Sequence, residues 1–223
     1  MLDRLTLAVD EREAVGVIGP NGAGKTTALN VMAGRLRPDR GAVVFDGRDV
    51  TAMPAHARCR AGIALTHQIP HPFDALTVFE NVLVGGVFGG GRTERQAYGP
   101  SLAALELTGL APKGNTLAGA LTLLERKRLE LARALATGPR VLLLDEIAGG
   151  LSEHEVHELV EVIRRVHRAG VAIIWIEHIV HALRSVVSRL AVISAGRMLV
   201  DGAPDEVMAS AEVQRVYLGI DVQ

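Results

Sequence analysis

The 223-residue chain is long enough for one full-sized core with a subdomain attached, and 48% of its residues are hydrophobic. A formal net charge of −1 supplies no field for nucleic acid, which is excluded as a partner, and no apolar run approaches the roughly 18 to 20 residues of a membrane span. Met1 leads into Leu-Asp-Arg-Leu-Thr without a secretory apolar stretch, and the single cysteine, Cys59, cannot form an intramolecular disulfide, which fits a reducing cytoplasm.

In chain order, Leu5, Leu7 and Val9 alternate with Thr6, Ala8 and Asp10, a period of two that predicts a strand. Ala14 to Ile18 reads as a second, more buried strand ending at a glycine-rich turn, and a helix follows from about Lys25 to near Gly34. Val43, Val44 and Phe45 ahead of Asp46-Gly47 predict a hairpin, because that dipeptide accepts the positive φ angles of a tight turn. Ile63 to Thr66 is another short strand, ending at His67-Gln68. From Thr77 to Ala136 the pattern is mainly helical, interrupted by glycines between 85 and 91 and by Pro112 to Gly114. The run Gly85 to Arg92 is the nearest thing to a flexible segment, and Arg126-Lys127-Arg128, followed by Glu130, reads as a solvated helix face.

Strand and helix then alternate through Val141 to Leu144, Glu153 to Arg168, Val171 to Ile176, Ile179 to Val187 and Leu190 to Ile193. This alternation predicts an α/β core with a mostly parallel sheet, into which the helical stretch is inserted. Residues 1–75 and 138–223 form the core with a small antiparallel β subdomain, and 76–137 the helical subdomain, within one domain spanning 1–223.

Gly19-Pro20-Asn21-Gly22-Ala23-Gly24-Lys25-Thr26 satisfies G-x-x-x-x-G-K-[ST] between an apolar strand and a helix, the context such a phosphate loop needs. Its glycines let backbone N–H groups point inward at phosphate oxygens, and the helix adds the positive end of its dipole. Lys25 would neutralise the β- and γ-phosphates, Thr26 would ligate Mg²⁺, and Thr27 completes the ATP-binding stretch. Lys25, Lys113 and Lys127 are the only lysines in a chain that otherwise uses arginine. Val141 to Leu144 is an apolar strand ending in Asp145-Glu146. Beside a phosphate loop, Asp145 is placed to hold Mg²⁺ and Glu146 to polarise a water against the γ-phosphate. Together these predict a nucleoside triphosphatase.

The order phosphate loop, Gln68, helical insert, Leu-Glu-Leu-Ala-Arg-Ala-Leu at 129–135, Asp145-Glu146 and His178 resembles the ABC transporter ATPases over essentially the whole chain. More narrowly it is similar to the branched-chain amino-acid importer ATPases, through Leu76-Thr77, Glu80-Asn81-Val82, residues 128–137, Ile176-Glu177-His178 and the tail Tyr217-Leu218-Gly219. The resemblance implies a P-loop NTPase core, Gln68 as a sensor of Mg²⁺ and water, and His178 as the switch histidine at the γ-phosphate. It also implies a second ATPase subunit, identical or not, and membrane permease subunits, with the chain peripheral on the cytoplasmic face of the cell membrane. Urea-type importers and lipopolysaccharide exporters have similar ATPases. A degenerate regulatory subunit and a non-transport ABC protein are the other readings.

Four departures from that family stand out. Its Leu-Ser-Gly-Gly-Gln signature, which meets the γ-phosphate of the opposite subunit, falls on Leu121-Thr122-Leu123-Leu124-Glu125. Thr122 keeps a hydroxyl, whereas the bulk of Leu123 and Leu124 is expected to weaken this half-site, and Thr122-x-x-Glu125 is also a capping box. Ile147 stands in place of the usual proline, and Ser152, with Glu155 a second capping box, in place of an acid. No aromatic residue precedes the phosphate loop, so either the chain starts late or the family's adenine stacking, worth about 1–3 kcal/mol by analogy with nucleic-acid platforms, is lost.

Overall fold

A computed structural model describes residues 2–218. The elements run β1 (Ala14–Ile18), α1 (Lys25–Met32), β2 (Val44–Phe45), β3 (Arg48–Asp49), α2 (Ala55–Ala61), β4 (Ile63–Leu65), α3 (Val78–Val84), α4 (Glu94–Thr108), α5 (Leu123–Ala136), β5 (Val141–Asp145) and α6 (Glu153–Arg168). They continue with β6 (Ala172–Ile176), α7 (Val180–Arg184), β7 (Arg189–Ser194), β8 (Arg197–Gly202), α8 (Pro204–Ala209) and α9 (Ala211–Leu218). Six strands form one sheet in the order β4-β5-β6-β1-β7-β8, parallel except for the edge pair β7–β8, while β2 and β3 form a separate antiparallel pair.

The sheet is apolar on both faces because helices cover both. Side chains alternate along each strand, so β5 sends Leu142 and Leu144 into a cluster with Leu159, Ile163 and Trp175, and Leu143 into another with Val17, Leu29 and Ile176. A third cluster, with Val78, Val82, Leu105 and Leu129, lies wholly within residues 78–136. The predicted hairpin is present, with positive φ at Asp46 and Gly47 as the turn requires. Both capping boxes are present as well, starting α5 at Thr122 and α6 at Ser152.

Four expectations change. Leu5 to Val9 is not a strand, although its alternation survives in the exposure pattern and Leu5, Leu7 and Val9 still pack on the core. The small antiparallel sheet ends at two residues per strand and gives this segment no ladder to join. The glycine-rich run is no flexible break either. Gly85–Gly89 continues α3 as a π-helical turn, and a Cβ on Gly85 would lie 2.5 Å from the Arg133 carbonyl oxygen of α5.

The basic cluster is not a solvated face. Lys127 is 2% exposed, Arg126 donates to the Leu121 and Gly119 carbonyls, and Arg128 pairs with Glu158 of α6. Helix α5 is covered on several sides, by α3, α4 and α6, so its charged residues have protein rather than water for neighbours. The chain also continues past the last anticipated strand: β8 adds antiparallel to β7, and α8 and α9 follow it. Of the tail Tyr217-Leu218-Gly219, Gly219 and the two preceding side chains lie outside the described residues.

The approach of Gly85 to α5 makes a prediction. Gly85→Ala should destabilise the protein by about 1–3 kcal/mol, since a backbone atom must move to admit the methyl group. Chemical denaturation of the two proteins measures it.

Candidate functional site

All the parallel strands point their carboxyl ends the same way, so the loops after β1, β4, β5 and β6 meet at one edge of the sheet. Strand β1 leads into Gly19, where a Cβ would lie 2.0 Å from the carbonyl oxygen of Ile193 in β7. Only glycine lets the chain leave the sheet there, with φ at 152°. The loop curls back through positive φ at Gly22 and Gly24, and α1 begins at Lys25 with no side chain capping its first turn. Asn21, Gly22, Ala23, Gly24, Lys25, Thr26, Thr27 and Glu146 line a cavity of about 150 Å³.

Lys25 is buried, and its Nζ donates to the carbonyls of Gly19 at 2.7 Å and Pro20 at 3.0 Å. Burial lowers its pKa, and the fields of Glu146 and Asp145 oppose that shift. The Thr26 hydroxyl donates to Asp145 Oδ1 at 3.3 Å, which brings together two of the three residues anticipated for Mg²⁺. Burial pushes the Asp145 carboxyl pKa up and neighbouring Glu146 adds to the effect, while Thr26, Lys25 and His67 pull it back. A hydroxyl and a carboxylate converging beside a phosphate loop are the hard oxygen donors that Mg²⁺ takes.

Glu146 follows directly. Its φ of 45° is unusual for a residue with a side chain and is held by its own N–H on the Ile176 carbonyl at 2.9 Å. Its carboxylate is gripped from both sides, by Gln68 Nε2 at 2.7 Å and by His178 Nε2 at 2.8 Å. The contact with a carboxylate makes Nε2 of His178 the protonated nitrogen. Gln68 is the third residue anticipated for the metal, and its amide Nε2 donates to Glu146.

Thr122 is not among the residues lining this cavity. It caps α5, its N–H donating to Glu125 Oε2 at 3.0 Å while its hydroxyl accepts from the Glu125 N–H at 3.4 Å. The two leucines that follow differ. Leu124 is 7% exposed and belongs to the main core, so it does not obstruct the surface, whereas Leu123 is 42% exposed.

Sequence reasoning missed a set of polar residues behind the cavity. Glu177 is buried, and its carboxylate accepts from the N–H of Ala148 at 2.7 Å and of His178 at 3.1 Å. His67 accepts from Arg35 on Nε2 at 2.6 Å and so donates from Nδ1 to Glu130 at 2.9 Å. Lys127 donates to the Gln68 carbonyl at 3.3 Å. The available signals were a lysine in a chain with three, and an acid directly before the singled-out histidine.

Known proteins resemble this chain over most of its length. A family model described as ABC transporter matches residues 2–149. The lipopolysaccharide export system ATP-binding protein LptB of Haemophilus influenzae is 34% identical over 96% of this chain and 89% of its own length. The high-affinity branched-chain amino acid transport ATP-binding protein BraF of Pseudomonas aeruginosa is also 34% identical, over 96% of this chain and 90% of its own. Among solved structures, an ATP-binding cassette of an ABC transporter in its ADP conformation superposes with a TM-score of 0.89 at 27% identity, covering 98% of this chain and 92% of that one. The chain therefore belongs to the ABC transporter family and is an ATP-binding, ATP-hydrolysing subunit with that family's P-loop fold.

Proposed function

We propose that this chain powers the import of branched-chain amino acids, acting with membrane permease subunits and a second ATPase subunit at the cytoplasmic face of the membrane. The carrying observation for the chemistry is the Glu146 carboxylate held between Gln68 and His178 at the rim of the phosphate-loop cavity. Likeness to BraF supports the cargo. A second reading, lipopolysaccharide export, draws equal support from the likeness to LptB. Reconstitution with the permease recovered alongside the tagged chain, followed by uptake of labelled leucine, separates the two: no ATP-dependent uptake removes the import reading.

In this mechanism the N–H groups of residues 21–27 receive the phosphates of ATP, and Lys25 exchanges the carbonyls of Gly19 and Pro20 for phosphate oxygens. Thr26 and Asp145 would hold Mg²⁺, which neutralises charge on the β- and γ-phosphates when bound. Glu146 accepts the proton of the water that attacks the γ-phosphorus, and ADP leaves along the opposite direction. Gln68 and His178 fix the carboxylate that receives this proton. Residues 76–137 act as the helical subdomain that transmits closure to the permease. Thr122 and the Leu123 and Leu124 N–H groups face the nucleotide of the opposite subunit.

Glu146→Gln should keep ATP binding and lower turnover by roughly a hundredfold or more, as removal of a proton acceptor does; ATPase rate and nucleotide titration check it. Asp145→Asn should abolish activity yet raise Tm at neutral pH. The sign follows from its direction: a carboxyl whose folded pKa is raised contributes stability below its unfolded pKa and loses it as pH rises through the folded value. The gap in Tm between the two proteins should therefore close on acidification, which melting curves across pH will show. Leu123→Gly should raise turnover of the assembled complex, because Leu123 is the outward-facing bulk of the signature segment. Leu124→Gly should instead cost about 2–5 kcal/mol in denaturation, as loss of a core leucine does.

A further inference from the structure

Strand β7 and the turn that follows it touch the phosphate loop near both of its ends. At the start of the loop, the Ile193 carbonyl leaves no room for a Cβ on Gly19. Further along, the two-residue turn Ala195-Gly196 between β7 and β8 reaches Ala23, where the Gly196 N–H donates to the Ala23 carbonyl at 2.9 Å. The Gly196 carbonyl accepts from the Asp3 N–H at 2.9 Å. One residue is thus bonded to the phosphate loop on one side and to the N-terminal segment on the other. Gly196 and Ala23 are both buried, where an unpaired backbone group is costly.

The bond also sets a direction. In a trans peptide the C=O and the N–H point opposite ways. With the Ala23 oxygen fixed on Gly196, the N–H of the same peptide, that of Gly24, points away from the turn. Gly24 lines the cavity and is the N-cap of α1, whose first turn no side chain caps. The carbonyls of Gly19 and Pro20 are held differently, by Lys25 from within the loop. Ala23 is held by a residue that does not line the cavity.

The turn that does this has a demanding backbone. Ala195 stands at φ 47° and Gly196 at φ 78°, two successive left-handed residues of the kind that match the twist of a tight hairpin. Glycine adopts that conformation freely and asparagine readily, whereas a β-branched side chain resists it.

We propose that Ala195 and Gly196 are positioning residues for ATP binding: their turn fixes the Ala23–Gly24 peptide so that the Gly24 N–H is set for a phosphate oxygen before the nucleotide arrives. Lys25 gives up its carbonyls to ATP, while the Ala23 carbonyl stays where it is. Affinity therefore depends on a turn that touches neither nucleotide nor metal. This role rests on the N–H groups of residues 21–27 receiving the phosphates.

The test uses the complex purified from its native membranes, with Ala195→Val, Ala195→Asn, Gly196→Ala and Lys25→Ala. Ala195 is exposed, so valine there strains the turn without entering the core. Ala195→Val should raise KM for ATP about fivefold or more, with kcat at saturating ATP changed less than about twofold, the pattern of binding lost equally from ground and transition states. Gly196→Ala should act in the same direction. Ala195→Asn, which accepts a positive φ, should keep KM close to that of the parent. In the parent, the Gly196 N–H should resist hydrogen exchange both with and without ATP.

Unchanged KM in folded Ala195→Val overturns the proposal, as does rapid exchange of the Gly196 N–H. So does a fall in kcat at constant KM, or an equal rise in KM for Ala195→Asn, which would make the side chain responsible and not the turn. A loss of rate matched by loss of folded protein in melting curves also overturns it, since a purely structural turn would behave that way. ATP affinity retained in Lys25→Ala removes the phosphate-loop reading and this inference with it. Affinity lost there, beside unchanged affinity in Ala195→Val, removes this inference alone.

Discussion

Glu146 occupies a backbone conformation that side chains disfavour, at the point where β5 leaves the sheet, and its carboxylate is shared between an amide from the β4 loop and an imidazole from the β6 loop. This contact draws three separate loops to one point. It is possible because β4, β5 and β6 are hydrogen-bonded neighbours running in parallel, which puts their carboxyl ends side by side. A reordering of the sheet would leave the same residues in the chain and dissolve the site. The strain at Glu146, of the order of 1–3 kcal/mol for such backbones, is held in place by the surrounding apolar strands.

The sheet supplies rigidity, and α5 supplies contact between otherwise separate parts. Its apolar side joins the cluster confined to residues 78–136, while Leu124, Leu131 and Ala134 reach into the main core. Its polar residues grip the Gln68 loop. A helix buried on this many sides carries charged residues only where each meets a partner, and Lys127, Arg128 and Glu130 all do.

Much of the core and the central cavity was legible in the chain. Apolar strands followed by glycine and lysine, or by two acids, have few structural uses, and the capping boxes at Thr122 and Ser152 are encoded in four consecutive residues each. What escaped was set by tertiary neighbours. Alternation at Leu5, Leu7 and Val9 reports which side faces the core and says nothing of a hydrogen-bonding partner. Residues 126–128 look solvated in sequence because charge is visible there and burial is not. Glycines at 85–91 suggested slack, although Gly85 is there for a close approach to α5. The difference between Leu123 and Leu124 depends on which turn of the helix faces the core, and adjacent residues lie about 100° apart.

The cap on α5 also fixes how that helix meets negative charge. Glu125 folds back on the Thr122 N–H and is itself paired with Lys113, so the positive end of the helix dipole already carries an anion and a counter-cation. The reciprocal bond occupies the Glu125 N–H, whereas the N–H groups of Leu123 and Leu124 take no part in the box. An incoming phosphate oxygen thus finds two donors instead of four, beside a carboxylate that repels it. Attraction at this end of the helix is accordingly short in range, and it favours a ligand already seated elsewhere over one captured from solution.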